Sequence, residues 1–423
     1  MEYLLAIGVA MFVGLLLSRL TSKLNLPDVT SYLVAGVLVG PFVLGRLHVP
    51  GLGFDSPEFV ESMGLICDAA LGFIAFSIGS EFRVSALRKT GRQATVIAII
   101  QALTATLFVD AALIGLHFIL GEEKLPISTC LILGAIATAT APAATLMVVN
   151  QYKARGPLTD LLLPVVALDD AVGLIVFAVS KGIAKAFVSG ELSVISVLLN
   201  PTIEIVASLA LGAALGWIFS LIEKYFNSNS KRLSLAVAFV ALCAGLSKLH
   251  WTFGEVHIGF SSLLVCMMCG TIFCNLCDFS EEIMHKTERW TGPVYVLFFV
   301  ISGAELDLSV FLDIAVVGIG VLYILTRSAG KIVGASASAK LMRCEPSISK
   351  YLGITLLPQA GVALGMTVTV AAEFPETGAM IRNIVLFSVL IYELVGPLLT
   401  KMALTAAGDI RPKPSVDRED LQA

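Results

Sequence analysis

Apolar stretches of about twenty residues recur along the whole chain, and each is long enough to cross the hydrocarbon of a bilayer as a helix. Only 14% of the residues are charged, against about 25% in soluble domains. The fold class this dictates is all-α and polytopic, a membrane protein with no sizeable soluble domain. Thirteen spans are expected, near 3–20, 28–47, 59–79, 95–120, 127–149, 158–186, 200–225, 233–249, 256–275, 286–303, 311–340, 349–372 and 381–406. The first, Tyr3 to Ser18, lacks a basic leader and a clear cleavage site and reads as a retained span. A net charge of −4 gives no ground for nucleic-acid binding.

Basic residues set the orientation. Loops after odd spans hold Arg19 and Lys23; Arg83, Arg88, Lys89 and Arg92; Lys153 and Arg155; Lys224, Lys231 and Arg232; Lys286 and Arg289; Lys340, Arg343 and Lys350. Loops after even spans are poorer: Arg46, Lys124, Lys181 with Lys185, Lys248, and the acidic Glu373 and Glu376 ahead of Arg382. The N-terminus is therefore expected outside and the C-terminus in the cytoplasm of a bacterial-type inner membrane. The tail, 408–423, is expected to be short, cytoplasmic and disordered, with no room for a nucleotide-binding regulatory domain.

The span "LLPVVALDDAVGLIVFAVS" (162–180) carries Asp169 and Asp170 at its centre. A charge at that depth costs about 2.5–3.5 kcal/mol to insert. A carboxyl there can hold a proton or a hard cation, and the two compete for the same oxygens. Adjacent residues point about 100° apart on a helix, so the two Asp face different partners. The best partner for Asp169 is Lys331 in "RSAGKIVGASASAK", flanked by Ala329, Gly330, Gly334 and Ala335, where helices can approach closely. Arg327, four residues earlier, shares that face and is expected to pair with Glu393 or Glu81, in a structural role. Glu81 and Glu305 lie at matching helix ends and read as capping and hinge positions. His250 and His257 fall at an outer helix boundary.

The chain also resembles itself about 220 residues later. "GSEFRVSAL" (79–87) matches "GAELDLSVF" (303–311); "GAIATATAPAATL" (134–146) matches "GITLLPQAGVALG" (353–365); "LDDAVGLIV" (168–176) matches "IYELVGPLL" (391–399). Two repeats follow, 1–187 and 233–407, joined by a linker helix within 188–232. A single linker span inverts the second copy, as in secondary transporters. Pro142, among Thr138 and Thr140, and Pro358, before Gly361 and Gly365, interrupt apolar spans in corresponding slots. Paired breaks of this kind offer carbonyl ends to a cation. Cys266, Cys269, Cys274 and Cys277 have a metal-like spacing, but one helix spreads them over about 16 Å. They read as small packing residues.

"LPDVTSYLVAGVLVGP" (26–41), "FSIGSEF" (76–82), "ATATAPAA" (137–144), "ALDDAVGLIVFA" (167–178), "RSAGK" (327–331) and "LPQAGVALG" (357–365) together resemble the monovalent cation:proton antiporter superfamily. The resemblance covers about 1–407. It is to the branch that includes bacterial sodium/proton antiporters and glutathione-gated potassium efflux membrane domains. It implies a thirteen-helix homodimer, with spans 1–3 and 8–10 at the dimer interface and spans 4–6 and 11–13 as a moving core. It implies Asp170 as the ion ligand, Asp169 as the partner of Lys331, and Thr140 with broken-helix carbonyls completing the site. The Asp-Asp pair resembles the electrogenic exchangers of Na+ or Li+ for H+, working by elevator-like alternating access. Ala141 and Pro142 stand where many sodium exchangers carry an acidic residue. K+/H+ exchange is the alternative, and a sodium-coupled organic-anion symporter a more distant one. No enzymatic activity and no cofactor are implied beyond the transported ions.

Overall fold

Helix α1 (Tyr3–Thr21) shows how this chain packs: its large apolar side chains face outward, Leu4 at 82% exposure, while the buried residues are Ala6, Ala10 and Gly14. A small residue every fourth position lets another helix close in where lipid supplies no hydrophobic drive. Val296 and Val300 fill the space beside Gly14. These features come from a computed structural model, which describes residues 3–21, 28–47, 53–80, 82–141, 145, 148–149, 152–189, 199–226, 228–253, 256–306 and 314–410.

The chain continues through α2 (Asp28–Val39), short α3 (Pro57–Glu61), α4 (Gly64–Ser80), α5 (Val84–Leu120), α6 (Ile127–Ile136), α7 (Pro157–Ser189), α8 (Asn200–Glu223) and α9 (Asn229–Leu246). A two-stranded hairpin follows, β1 (Trp251–Phe253) antiparallel to β2 (Val256–Ile258). Then come α10 (Ser262–Leu276), α11 (Ser280–Ala304), α12 (Ile314–Leu341), α13 (Pro346–Thr355), α14 (Gly361–Glu373) and α15 (Pro375–Ala407). Among the described residues, seven helices are long and apolar enough to cross a membrane, and α4, α6, α10 and α14 are shorter apolar helices. Two packed groups result. Helices α1, α2, α4, α8, α9, α10 and α11 contact mainly one another, and so do α5, α6, α7, α12, α13, α14 and α15.

The segments matched within the sequence make matching contacts. A methyl at Gly303 would land on the Leu33 carbonyl of α2, and one at Gly36 on the Val300 carbonyl of α11. A methyl at Gly79 would land on Met267 of α10, and one at Gly270 on Phe76 of α4. Both are backbone-on-backbone crossings that only glycine permits. Gly303→Ala should therefore lower stability by about 1–3 kcal/mol, the usual cost of overpacking, read as a lower melting temperature in detergent. An unchanged melting temperature would refute the crossing.

Three expectations change here. The span expected at 256–275 starts at Ser262, because Trp251, Thr252, Phe253, Val256, His257 and Ile258 are β-branched, aromatic or imidazole-bearing and pair as a hairpin. His257 thus stands opposite Thr252 in the hairpin and not at a helix boundary. Lys181 is not a loop residue: it is buried within α7, so it carries no weight in the count of loop charges. The tail from 411 onward, Lys23, Glu81 and Pro142 lie outside the described residues.

Candidate functional site

Apolar periodicity carries α6 inward as far as Ile136 and α13 as far as Thr355; beyond each, the chain leaves the helix. Residues 137–141 and 356–360 then pass each other, with the Ala141 amide donating to the Pro358 carbonyl at 2.8 Å. Thr145 Oγ1 donates to the Thr355 carbonyl at 3.1 Å. Pro358 has no amide to continue the helix, and Gly396 of α15 leaves room for its ring. These are the crossed, interrupted helices expected from the two proline segments.

Asp169 sits at the crossing, fully buried on α7. Lys331 of α12, also 0% exposed, donates to Asp169 Oδ2 at 2.7 Å. Its ammonium donates further to the Thr138 carbonyl at 2.5 Å and Thr140 Oγ1 at 2.9 Å, which uses all three protons. Thr140 Oγ1 donates to Asp169 Oδ2, and Thr138 Oγ1 donates to the Ala135 carbonyl at 2.6 Å. Asp169, Lys331, Thr138 and Thr140, singled out from the sequence, thus lie in contact with one another. Asp170, 2% exposed, takes the next position on α7, about 100° round the helix from Asp169.

Close approach of α12 makes this possible. Gly330 meets Ala105 of α5, and Gly334 meets Gln101 and Thr104; a methyl at either would come within 2.7 Å of a Cα atom. Gly353 similarly brings α13 against Ile332 and Lys331.

Arg327 meets backbone carbonyls where Glu393 was expected, and the alternative partner, Glu81, lies outside the described residues. Arg327 is the largest fully buried side chain, and its Nε, Nη1 and Nη2 donate to the carbonyls of Ala137 at 3.0 Å, Leu357 at 2.7 Å and Ala139 at 2.6 Å. The guanidinium fork thus ties both interrupted segments together, and it stacks 4.5 Å over the Tyr392 ring. No ion pair joins it to Glu393 among the described residues; Glu393 is buried on α15 and its Oε1 has no hydrogen-bond partner there. Two unbonded backbone ends needed a fork of donors more than Glu393 needed a cation. For the same reason these carbonyls already spend a lone pair on protein donors in this arrangement. Those of Ile136, Ala137, Thr138, Ala139, Leu357 and Pro358 each accept a hydrogen bond already.

Sequence reasoning missed two amides. Gln359 Nε2 donates to the Ile136 carbonyl at 2.9 Å and lies 3.0 Å from Tyr323 Oη, while Ser388 donates to its Oε1 at 3.2 Å. Gln101 of α5 donates through Nε2 to Asp169 Oδ1. The available signal for both was a lone amide within an apolar helix or break.

Away from the crossing, Lys181 bonds Glu204 of α8 and Glu373 of α14, each at 2.9 Å, and Lys185 bonds Glu373 at 2.5 Å. Arg382 of α15 pairs with Glu305, the C-cap of α11, at 3.3 Å. Of the four spaced cysteines, Cys266, Cys269 and Cys274 are buried along α10 and Cys277 caps it, all as free thiols.

The sequence profile described as sodium/hydrogen exchanger, transmembrane, matches residues 7–406. The high-affinity Na+/H+ antiporter NhaS3 of Synechocystis is 26% identical over 419 residues, covering 89% of this chain and 85% of that protein. The K+/H+ antiporter subunit KhtU of Bacillus subtilis is 25% identical over 411 residues, covering 93% and 92%. The solved structure of the sodium proton antiporter MjNhaP1 from Methanocaldococcus jannaschii at pH 8 superposes with a TM-score of 0.71 at 20% identity, covering 94% of this chain and 97% of that one; it supports the fold. The chain is an integral membrane protein that belongs to the transmembrane sodium/hydrogen exchanger family.

Proposed function

We propose that this protein exchanges Na+ or Li+ for protons across the membrane at the Asp169–Asp170 pair. The observation that carries this is a fully buried carboxylate, Asp169, bonded at 2.7 Å to a fully buried ammonium, Lys331, where two interrupted helices cross. A buried pair held at such desolvation cost is retained for function more readily than for stability. Asp170 is the ion ligand. A cation entering at Asp170 displaces protons, and proton return expels the cation, two protons against one cation in an electrogenic cycle. The group containing α5, α6, α7 and α12–α15 moves as an elevator against the other group. We further propose thirteen spans in two inverted repeats, 1–187 and 233–407, a homodimer built on spans 1–3 and 8–10, an outside N-terminus and an inner-membrane location.

K+/H+ exchange is a second reading, favoured by the similarity to KhtU along nearly all of both chains. Proteoliposomes with an imposed pH gradient separate the two. A pulse of Na+ or Li+ should drive proton flux through the wild type, and Asp170→Asn should reduce it at least tenfold. Flux with K+ alone selects the second reading. No response to any of the three cations overturns the proposal.

A further inference from the structure

The transported cation must exchange its hydration shell for protein oxygens. Beside Asp169 those oxygens are scarce. Most broken-helix carbonyls around the pair already serve Arg327, Lys331, Gln359 and the Ala141 amide. Asp169 Oδ2 serves Lys331 and Thr140.

Gln101 brings a further buried oxygen to this place. Gln101 is 0% exposed, and its Nε2 donates to Asp169 Oδ1 and to the Ala98 carbonyl at 3.1 Å. Its Oε1 is buried and has no hydrogen-bond partner among the described residues. A carboxylate only accepts, so it takes the N–H side of the amide and leaves the oxygen over. That oxygen shares a carbon with the nitrogen touching Asp169, so the two acceptors are neighbours. An unpartnered buried acceptor costs about 1–3 kcal/mol, and such a group calls for an explanation. Amide and carboxylate oxygens are the donor set that hard cations prefer.

We propose that Gln101 Oε1 is an uncharged ligand of the transported cation and helps set the choice between cations. This rests on the exchange reading above. The amide nitrogen keeps Asp169 in place, and the oxygen meets the ion that reaches the carboxyl pair. A neutral ligand at fixed distance discriminates by ionic size, which two carboxylates on one helix cannot do alone.

Proton flux in proteoliposomes, titrated separately with Na+, Li+ and K+, tests it on wild type, Gln101→Leu and Gln101→Asn. Leucine keeps the volume and removes both polar heads; asparagine keeps the heads on a shorter stem and serves if the leucine variant does not fold. The expected result is a rise of about tenfold in the half-saturating concentration of the favoured cation, with the ratio among the three cations altered. Maximal flux should fall as well in the leucine variant, which loses the amide bond to Asp169, so the altered ratio among the three cations is the reading specific to Oε1. Unchanged half-saturation in the variants, or an equal rise for all three cations, overturns the assignment of Gln101. No cation-driven flux in the wild type defeats the exchange reading instead, so the two failures are distinguishable.

Discussion

Arg327→Leu should abolish recovery of a monodisperse, folded protein. It frees three buried carbonyls, those of Ala137, Ala139 and Leu357, and no other described side chain donates to them. Each orphaned buried acceptor costs about 1–3 kcal/mol. The sum consumes much of the 5–15 kcal/mol that typically holds a domain together. Arg327→Lys should be intermediate, because a compact ammonium on a flexible stem cannot match a rigid planar fork spread across two segments. Size-exclusion chromatography and melting in detergent provide the check. A leucine variant that melts with the wild type would show that the guanidinium is not the tie between the interrupted helices.

Lys331→Met should have the second-largest effect, and on transport. It strips Asp169 of its cationic partner and, among the described residues, leaves it with the Gln101 amide and Thr140 hydroxyl. Breaking a buried pair from one side leaves an uncompensated charge, at about 3–5 kcal/mol. Exchange should fall at least tenfold and lose its wild-type voltage dependence. Pairing Lys331→Met with Asp169→Asn should recover part of the lost stability, with a coupling of about 1–3 kcal/mol in a double-mutant cycle. Additive melting shifts, or unchanged flux and voltage response in Lys331→Met, would show that the pair contributes nothing to the cycle.

The Asp169–Lys331 pair was legible because a charge in an apolar span is costly and must find its opposite. Two charges placed among glycines on different spans left few choices. The interruptions at 137–141 and 356–360 were legible from Pro142 and Pro358 and their small neighbours. The partners of Arg327 were not. Spacing of four residues put it on the same face as Lys331, but the opposing surface is backbone, and a carbonyl carries no residue letter. The same holds for the carbonyl ends, expected to wait for a cation and found bonded to side chains. Lys181 misled because a lysine near a span end usually reaches for water. Here Glu204 and Glu373, from α8 and α14, meet it inside the protein. Gln101 was overlooked since an amide in an apolar helix has a modest insertion cost and names no partner.

The tie made by Arg327 reaches back 190 residues to Ala137, and the bond from Lys331 reaches back 162 to Asp169. At synthesis rates of about 5–20 residues per second, the first half of the chain therefore waits roughly 10–40 s for the side chains that complete it. During that interval the two aspartates and the exposed carbonyls of the first interrupted helix must be satisfied by water, lipid headgroups or a chaperone. The site therefore cannot be completed before the distant lysine and arginine arrive, and a ribosome paused before residue 327 holds an unfinished site.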